Sequence, residues 1–537
     1  RPFASSQKET VKHSVSFAEG STDCIAHPKL ASHLLLDRIF QELGLDSLCA
    51  TLKHSLHLEF DLQGYLRLLL FGRILNPASK MATTAQNTLY AESLVEEAYP
   101  YHVYDVLDIL YAHKEKFIQR MNSSITHSIG RNTSRVYYDV TNFFFEIGEA
   151  DADEEIDGEM VKGLRQKGVS KENRREPIVQ MGLFLDDNGI PITIEAFPGN
   201  TLDQATLRPA LKKSFSGLDV PRYILVADRG LCSYKNICYL LKDQQGYIVS
   251  KSIRKTKADE RAWMLDTEGY ISQGEGFRYK ARRITRSVID EEHRKQEFTE
   301  QVVVYWSKKF YDREYHEHKR FLDFIQKLKE NPSAFRVTAT QTRNLKRFFK
   351  KDVVDKETGE ILDSRKLLAM LDEEKLEEFT ASMGYYQIVT SETEMHPLDV
   401  IEAYHGLTRI EDQFRVMKGT LETRPLYVRT REHIKAHLLL CMMALTMLRI
   451  IQKQIVDSQM IKQSKSRYWS YGLSGSRVQE ALTRWKVEML PGDLYRFCDT
   501  DENDVALVLA AFGIHIEPRL YTRGELRKLK SSIKTLV

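Results

Sequence analysis

The sequence predicts an α/β core built on a mixed five-stranded sheet, interrupted by a β-rich insertion and flanked by helical N- and C-terminal regions. Three observations lead there. Apolar residues recur at helical spacing up to about residue 130 and at strand spacing from 134. Asp186-Asp-Asn-Gly189 has the composition of a tight hairpin turn between two apolar runs. Helical and strand patterns then alternate through residue 250 before a long stretch of mixed character.

Residues 1 to about 25 are polar and read as an arm, and 30–130 reads as helical. Apolar residues hold helical spacing over 56–75, where Asn76-Pro77 stops the run, and again over 104–121. Strands are expected at 135–147, 178–186 and 190–197, antiparallel in succession. A helix at 203–214, a strand at 222–227, a helix at 234–242 and a strand at 247–250 complete the core. This order, with an acid in the first strand and another ending the fourth, is that of a ribonuclease-H-like fold. Strands at 302–306, 336–339 and 385–390 and a helix at 313–329 fill the insertion. A further helix follows Pro397, and 432–454, 476–487 and 504–512 read as C-terminal helices. The expected domains are 1–130, a possible end-recognition region; 131–250, the first part of the core; 251–397, the insertion; 398–455, the remainder of the core; and 456–537, a helical region with a basic tail.

Hydrophobic residues make up 42% and charged residues 28% of the 537 positions, a balance that speaks against disorder and against a membrane protein. The most apolar stretch, 437–448, falls short of the roughly 20 residues needed to cross a bilayer and reads as a buried helix. The six cysteines, at 24, 49, 232, 238, 441 and 498, form no CxxC pair, so free thiols in a reducing cytoplasm are expected. No signal peptide is visible, and no HExxH spacing occurs among the 16 histidines. The formal net charge of +3 says little about nucleic acid, but its distribution is uneven: residues 251–350 hold 24 basic against 15 acidic side chains.

Three carboxylates carry the chemistry. Asp139 lies in the strand-like run Val136-Tyr-Tyr-Asp-Val-Thr-Asn-Phe-Phe-Phe145, and Asp228 ends Tyr223-Ile-Leu-Val-Ala-Asp-Arg-Gly230. A solvated surface charge is the ordinary reading of any one acid, yet each of these interrupts an apolar strand, where an unpaired charge is costly. Glu411 follows Pro397 on an expected helix, where Tyr404, Leu407, Glu411, Arg415 and Lys418 fall on one stripe. Oxygen ligands from two strands and a helix suit two Mg²⁺ or Mn²⁺ ions, which can activate a hydroxyl and stabilise a leaving oxygen. An amphipathic helix with ordinary ion pairs is the alternative for the third block.

The third block resembles that of the insertion-sequence DDE transposases, whose signature is Y-x2-R-x3-E-x6-K. Tyr404, Glu411 and Lys418 match its spacing, while Leu407 stands at the Arg position and Arg409 or Arg415 is left to supply that contact. Asp139-Val-Thr141 matches the family's first block and Asp228-Arg-Gly230 its second. The resemblance extends through Asn76-Pro-Ala-Ser-Lys80, Gly168-Val-Ser-Lys171 and Phe197-Pro-Gly-Asn200, over roughly residues 60–450. It implies strand cleavage and transfer at terminal inverted repeats, with Asp139, Asp228 and Glu411 as metal ligands and two Mg²⁺ ions per site. Thr141 and Arg229 would be supporting groups, and Tyr404 and Lys418 would position phosphates. It further implies a homodimer across two DNA ends, target DNA as second substrate, no membrane, and action in the cytoplasm at a bacterial nucleoid.

Basic segments offer places for DNA. The loop Lys162–Arg175, with Lys171, Arg174 and Arg175, reads either as a phosphate clamp or as a solvated hairpin balanced by the acids of 146–159. Lys251, Arg254, Lys255 and Lys257 leave the fifth strand, where a cleaved end would be held. The segments 279–286 and 343–351 mix bases with aromatics, as single-strand binders and solvated faces both do. Two other functions stay open: a two-metal nuclease without joining activity, and a non-catalytic DNA-binding protein descended from a transposase.

Overall fold

Helices give way to sheet at Arg135 in the computed structural model, close to the change of period in the sequence. The structure describes residues 27–156, 158–169, 175–215, 220, 222–231, 233–290, 293–330, 348, 368, 371–458, 472–499 and 503–534. The chain divides into two compact units, Arg1–Tyr223 with Gly406–Val537, and Ile224–His405.

The first unit opens with β1 (Lys29–Leu30) and six helices: α1 (His33–Glu42), α2 (Leu45–Ser55), α3 (Leu62–Leu75), α4 (Lys80–Ala85), α5 (Pro100–Ala112) and α6 (Lys114–Ser128). The run 56–75 is not one helix. Its first turn forms at Leu62, because the Asp61 carboxylate accepts the Gly64 N–H at 3.1 Å and caps it there. Likewise 104–121 divides between α5 and α6 at His113.

Then come β2 (Arg135–Phe144), a small hairpin of β3 (Glu154–Ile156) and β4 (Glu159–Val161), β5 (Ile178–Leu185), β6 (Pro191–Pro198) and α7 (Asp203–Ser214). β6, β5 and β2 pair antiparallel in that order, with Asp139 opposite Leu183 and Tyr138 opposite Phe184. The rings of that second pair stack at 4.4 Å. Gly182 makes room for them, since a Cβ there would sit 2.3 Å from the Tyr138 hydroxyl. The β5–β6 turn is the expected one: Gly189 has φ of 75° and the Asp186 carboxylate accepts the N–H groups of Asn188 and Ile190.

The second unit contains β7 (Ile224–Ala227), α8 (Tyr234–Lys242), β8 (Gly246–Lys251), α9 (Ala258–Leu265), β9 (Ile271–Ser272), β10 (Phe277–Ile289), β11 (Lys295–Ser307), α10 (Lys308–Glu330), α11 (Glu373–Ala381), β12 (Tyr385–Thr390) and α12 (Pro397–His405). Its strands run β7-β8-β12-β11-β10-β9, parallel for the first pair and antiparallel thereafter. The strands expected to form a separate insertion therefore extend the edge of β8. The basic-aromatic segment 279–286 is the middle of β10. The strand expected at 336–339 and the basic segment 343–351, apart from Phe348, lie outside the described residues.

The chain returns to the first unit with α13 (Thr408–Lys418), α14 (Arg431–Asp457), α15 (Gly475–Arg484), β13 (Lys486–Leu490), β14 (Leu494–Phe497), α16 (Asn503–Ala511), β15 (Leu520–Thr522) and α17 (Arg523–Ser532). The C-terminal region is thus not wholly helical: β1, β13, β14 and β15 form a second antiparallel sheet. α14 is the core helix of the unit. It is long and apolar enough to cross a membrane, but 94% of its most apolar window is buried against the protein itself.

Candidate functional site

On β2, residues 137, 139, 141 and 143 point to one face by the alternation of a strand. α13 covers that face of the first unit. Arg409 lies 5.7 Å over the Tyr137 ring and Lys418 5.9 Å over the Phe143 ring, so Glu411 falls along the part of β2 that holds Asp139 and Thr141. Asp139 is half-buried and its Oδ1 accepts the Val140 N–H at 2.7 Å, whereas Thr141 is buried.

The residues after Glu411 fix α13 in the core. Arg449, 1% exposed on α14, donates to Gln413 at 2.5 Å, Gln452 at 2.6 Å and Asp412 at 3.4 Å. Gln413 in turn donates to the Gly189 carbonyl at 3.1 Å, tying the helix to the β5–β6 turn. Glu411 is left on the outer side, exposed and with no side-chain hydrogen bond or ion pair among the described residues. Both nearby arginines are engaged elsewhere: Arg409 with Asp187 and Arg415 with Asp412, at 3.2 and 3.1 Å.

In the second unit Asp228 follows β7 and is exposed. Its Oδ1 accepts from the Tyr404 hydroxyl at 3.0 Å and from Ser250 Oγ at 3.2 Å, and these two hydroxyls are 2.8 Å apart. Burial first, and the Asp228 charge second, raise the Tyr404 pKa, so the phenol keeps the proton it donates. Oδ2 has no partner among the described residues. The three groups come from the end of β7, from β8 and from α12, all packed together in this unit.

Beside Ser250 opens a cavity of about 680 Å³, lined by Arg229, Lys251, Lys255, Lys257, Arg286 and Glu260. Arg286 is fixed by Glu260 at 2.8 Å and by the fully buried Glu300 at 2.6 Å, and Lys251 reaches Glu300 at 3.3 Å. These pairs raise the Arg286 pKa, chiefly through its hydrogen bonds to Glu260. Arg229, Lys255 and Lys257 have no ion-pair partner among the described residues, so the wall keeps a positive excess.

Several expected site residues stand differently. The signature is not on one helix: Tyr404 lies in the last turn of α12 in the second unit, Glu411 belongs to α13 in the first, and Gly406-Leu407 separates the two helices. Gly406 is required there, since a Cβ would lie 2.3 Å from the Tyr137 hydroxyl. Tyr404 holds a carboxylate in this structure, and Arg409 holds Asp187. Arg254 turns to α11, with Nε on Ser382 at 2.9 Å and its guanidinium 4.2 Å over Phe379, and is not among the cavity-lining residues. Arg175 is exposed, while Lys171 and Arg174 lie outside the described residues. Sequence reading missed Ser250, Arg449 and Glu300; an arginine inside the apolar run 443–451 was a signal for the second.

Asp139, Asp228 and Glu411 offer only oxygen donors, the chemistry that suits Mg²⁺ or Mn²⁺. Among the described residues no group of three or more His, Cys, Asp or Glu side chains is placed to hold a metal ion. The fit to a hard cation therefore rests on the donor chemistry and on two groups without a partner among the described residues, Oδ2 of Asp228 and the carboxylate of Glu411.

No curated protein matches the chain. Among solved structures, a piggyBac transposase synaptic complex with hairpin DNA aligns at a TM-score of 0.35 and 8% identity, over 89% of this chain and 77% of that one, too loosely to bear on the fold. The transposase DDE domain family matches residues 155–447, more than half of the chain, a span that includes Asp228 and Glu411 and begins after Asp139. On that match the chain belongs to the transposase DDE domain family.

Proposed function

We propose that the protein cleaves DNA at the terminal inverted repeats of an insertion sequence and joins the ends to a target, with Asp139, Asp228 and Glu411 as its catalytic carboxylates. The observation that carries this reading is the exposed Asp228, oriented through one oxygen by Tyr404 and Ser250 beside a cavity with excess positive charge. Divalent ions, two per site, would supply Lewis-acid activation of the attacking hydroxyl and of the leaving oxygen. Asp228 would ligate through Oδ2 while Tyr404 and Ser250 keep Oδ1 turned. Lys251, Lys255, Lys257 and Arg229 would take the phosphates of the cleaved end. The order of β2, β5, β6, α7, β7, α8 and β8 along the chain supports a ribonuclease-H-like core, and a homodimer holding two DNA ends is part of the reading.

The test is purified protein with Mg²⁺ and the DNA flanking its own gene, with nicks mapped. Asp139→Ala, Asp228→Ala and Glu411→Gln are each expected to abolish cutting and leave end binding intact. Retained Mg²⁺-dependent cutting removes that residue from the reaction. Precut ends offered with a target plasmid separate a joining enzyme from a nuclease that only cuts.

A further inference from the structure

In the first unit a second cavity, of about 300 Å³, has Lys80, Arg73, Arg424 and His437 on its wall. Lys80 begins α4 and is 5% exposed. Its ammonium donates to His437 Nδ1 at 3.1 Å, and His437 Nε2 lies 3.3 Å from the Thr423 carbonyl. Since a carbonyl only accepts, Nε2 carries the ring proton and Nδ1 is the acceptor for Lys80. Two of the three ammonium protons have no hydrogen-bond partner among the described residues. Arg73, 6% exposed, donates to the carbonyls of Ala78 at 2.8 Å and of Leu421 and Glu422 at 3.4 Å. Neither cation is ion-paired with a carboxylate among the described residues, and the exposed Glu422 pairs with neither.

Two buried like charges without a counter-ion are unfavourable unless something supplies the opposite charge. Desolvation first, and the charge of Arg73 second, bring the Lys80 pKa down to about 7. We propose that this cavity binds a tetrahedral oxyanion of the phosphate class, held by the ammonium of Lys80 and the guanidinium of Arg424 with Arg73 adding charge behind them. An oxyanion accepts the two idle ammonium protons and relieves the repulsion. Its source is either a phosphodiester of DNA or free phosphate. The site lies apart from the three carboxylates in function, and its test does not depend on cleavage.

The full-length protein is compared in phosphate and in chloride at equal ionic strength. Phosphate is expected to raise the melting temperature of the wild type by several degrees and to leave Lys80→Met unmoved. Where that variant does not fold, calorimetry on the wild type serves. Above about pH 7, phosphate binding is expected to take up protons from buffer, as the anion restores the charge of Lys80. Without phosphate, stability should rise with pH above about 7, because the unfolded chain then binds the lysine proton that the folded chain has lost. In a duplex-binding titration, a salt slope smaller by about 1 in Lys80→Met assigns the site to a DNA phosphate. An unchanged slope with a phosphate-sensitive melting temperature assigns it to free phosphate. A wild type that responds identically to phosphate and chloride, with no proton uptake, overturns the proposal.

Discussion

Replacing Arg449 with Met tests whether the carboxylate-bearing helix is fixed from the core. The substitution keeps apolar volume but removes three donated hydrogen bonds, leaving Asp412 Oδ2, Gln413 Oε1 and Gln452 Oε1 without that donor. Breaking a buried ion pair by removing one member costs about 3–5 kcal/mol. Asp412 keeps Arg415 and its Arg449 contact is long, which favours the lower end, while the loss of the two hydrogen bonds to Gln413 and Gln452 adds to it. A loss of about 4 kcal/mol is expected, a large share of the roughly 5–15 kcal/mol that holds a domain folded. Burial raises the Asp412 pKa, and Arg449 is the main group opposing the rise. Without it the carboxyl is pushed higher still, and the folded state holds a proton that the unfolded state has released. Stability of the variant should therefore fall as pH rises from the ordinary carboxylate range through the raised pKa, then level off. Urea unfolding at about pH 5 and about pH 8 should show the smaller loss at the acid value. A loss under about 1 kcal/mol at both, or one independent of pH, would refute the reasoning.

Tyr404→Phe removes a hydrogen bond to an ionised oxygen, worth about 1.5–3 kcal/mol, and should slow cleavage roughly tenfold to a hundredfold with end binding kept. An unchanged rate would show that Ser250 alone orients Asp228. Asp186 is fully buried against Arg131 at 3.1 Å, and desolvation brings its pKa up to about 6. Folded protein then holds the proton longer than unfolded protein, so this carboxyl makes stability decline from about pH 4 to about pH 6. In Asp186→Asn that component of the pH profile should vanish, as read from melting temperatures across the interval.

Much of the fold was legible because local chemistry determines it. The β5–β6 turn follows from Asn188-Gly189 and the Asp186 carboxylate, and α8 and β12 begin and end where their patterns do. The break between α12 and α13 was not legible. Helical spacing runs through Gly406-Leu407 without interruption, and what makes Gly406 necessary is the Tyr137 hydroxyl, 269 positions away in sequence. β10 was hidden by its arginines, which alternate with Ile284 and Val288 on a strand half exposed to solvent. The acids themselves could be found in the sequence, but their partners could not. Ser250 is an unremarked serine, and only the packing of β8 beside β7 brings it to Asp228.

Glu411 and Arg415 stand four apart on one helix, the spacing at which a carboxylate and a guanidinium ordinarily pair. They do not pair here, because Asp412, one position along, takes Arg415 at 3.1 Å while Arg449 holds Asp412 from behind. Asp412 thus keeps Glu411 available by occupying its natural partner. Asp412→Asn should release Arg415, which then folds back over Glu411 with about 0.3–0.5 kcal/mol in its favour and competes with divalent ions for the carboxylate. Cleavage by this variant is expected to need more Mg²⁺ for half-maximal rate, and its stability to fall as well, since Arg449 stays buried and loses the charge of Asp412, so the rates are compared at a temperature where the variant is folded. Adding Arg415→Ala removes the competitor, so the double variant should recover the wild-type Mg²⁺ dependence. If the double variant requires as much Mg²⁺ as Asp412→Asn alone, Asp412 acts on the helix and not on the availability of Glu411.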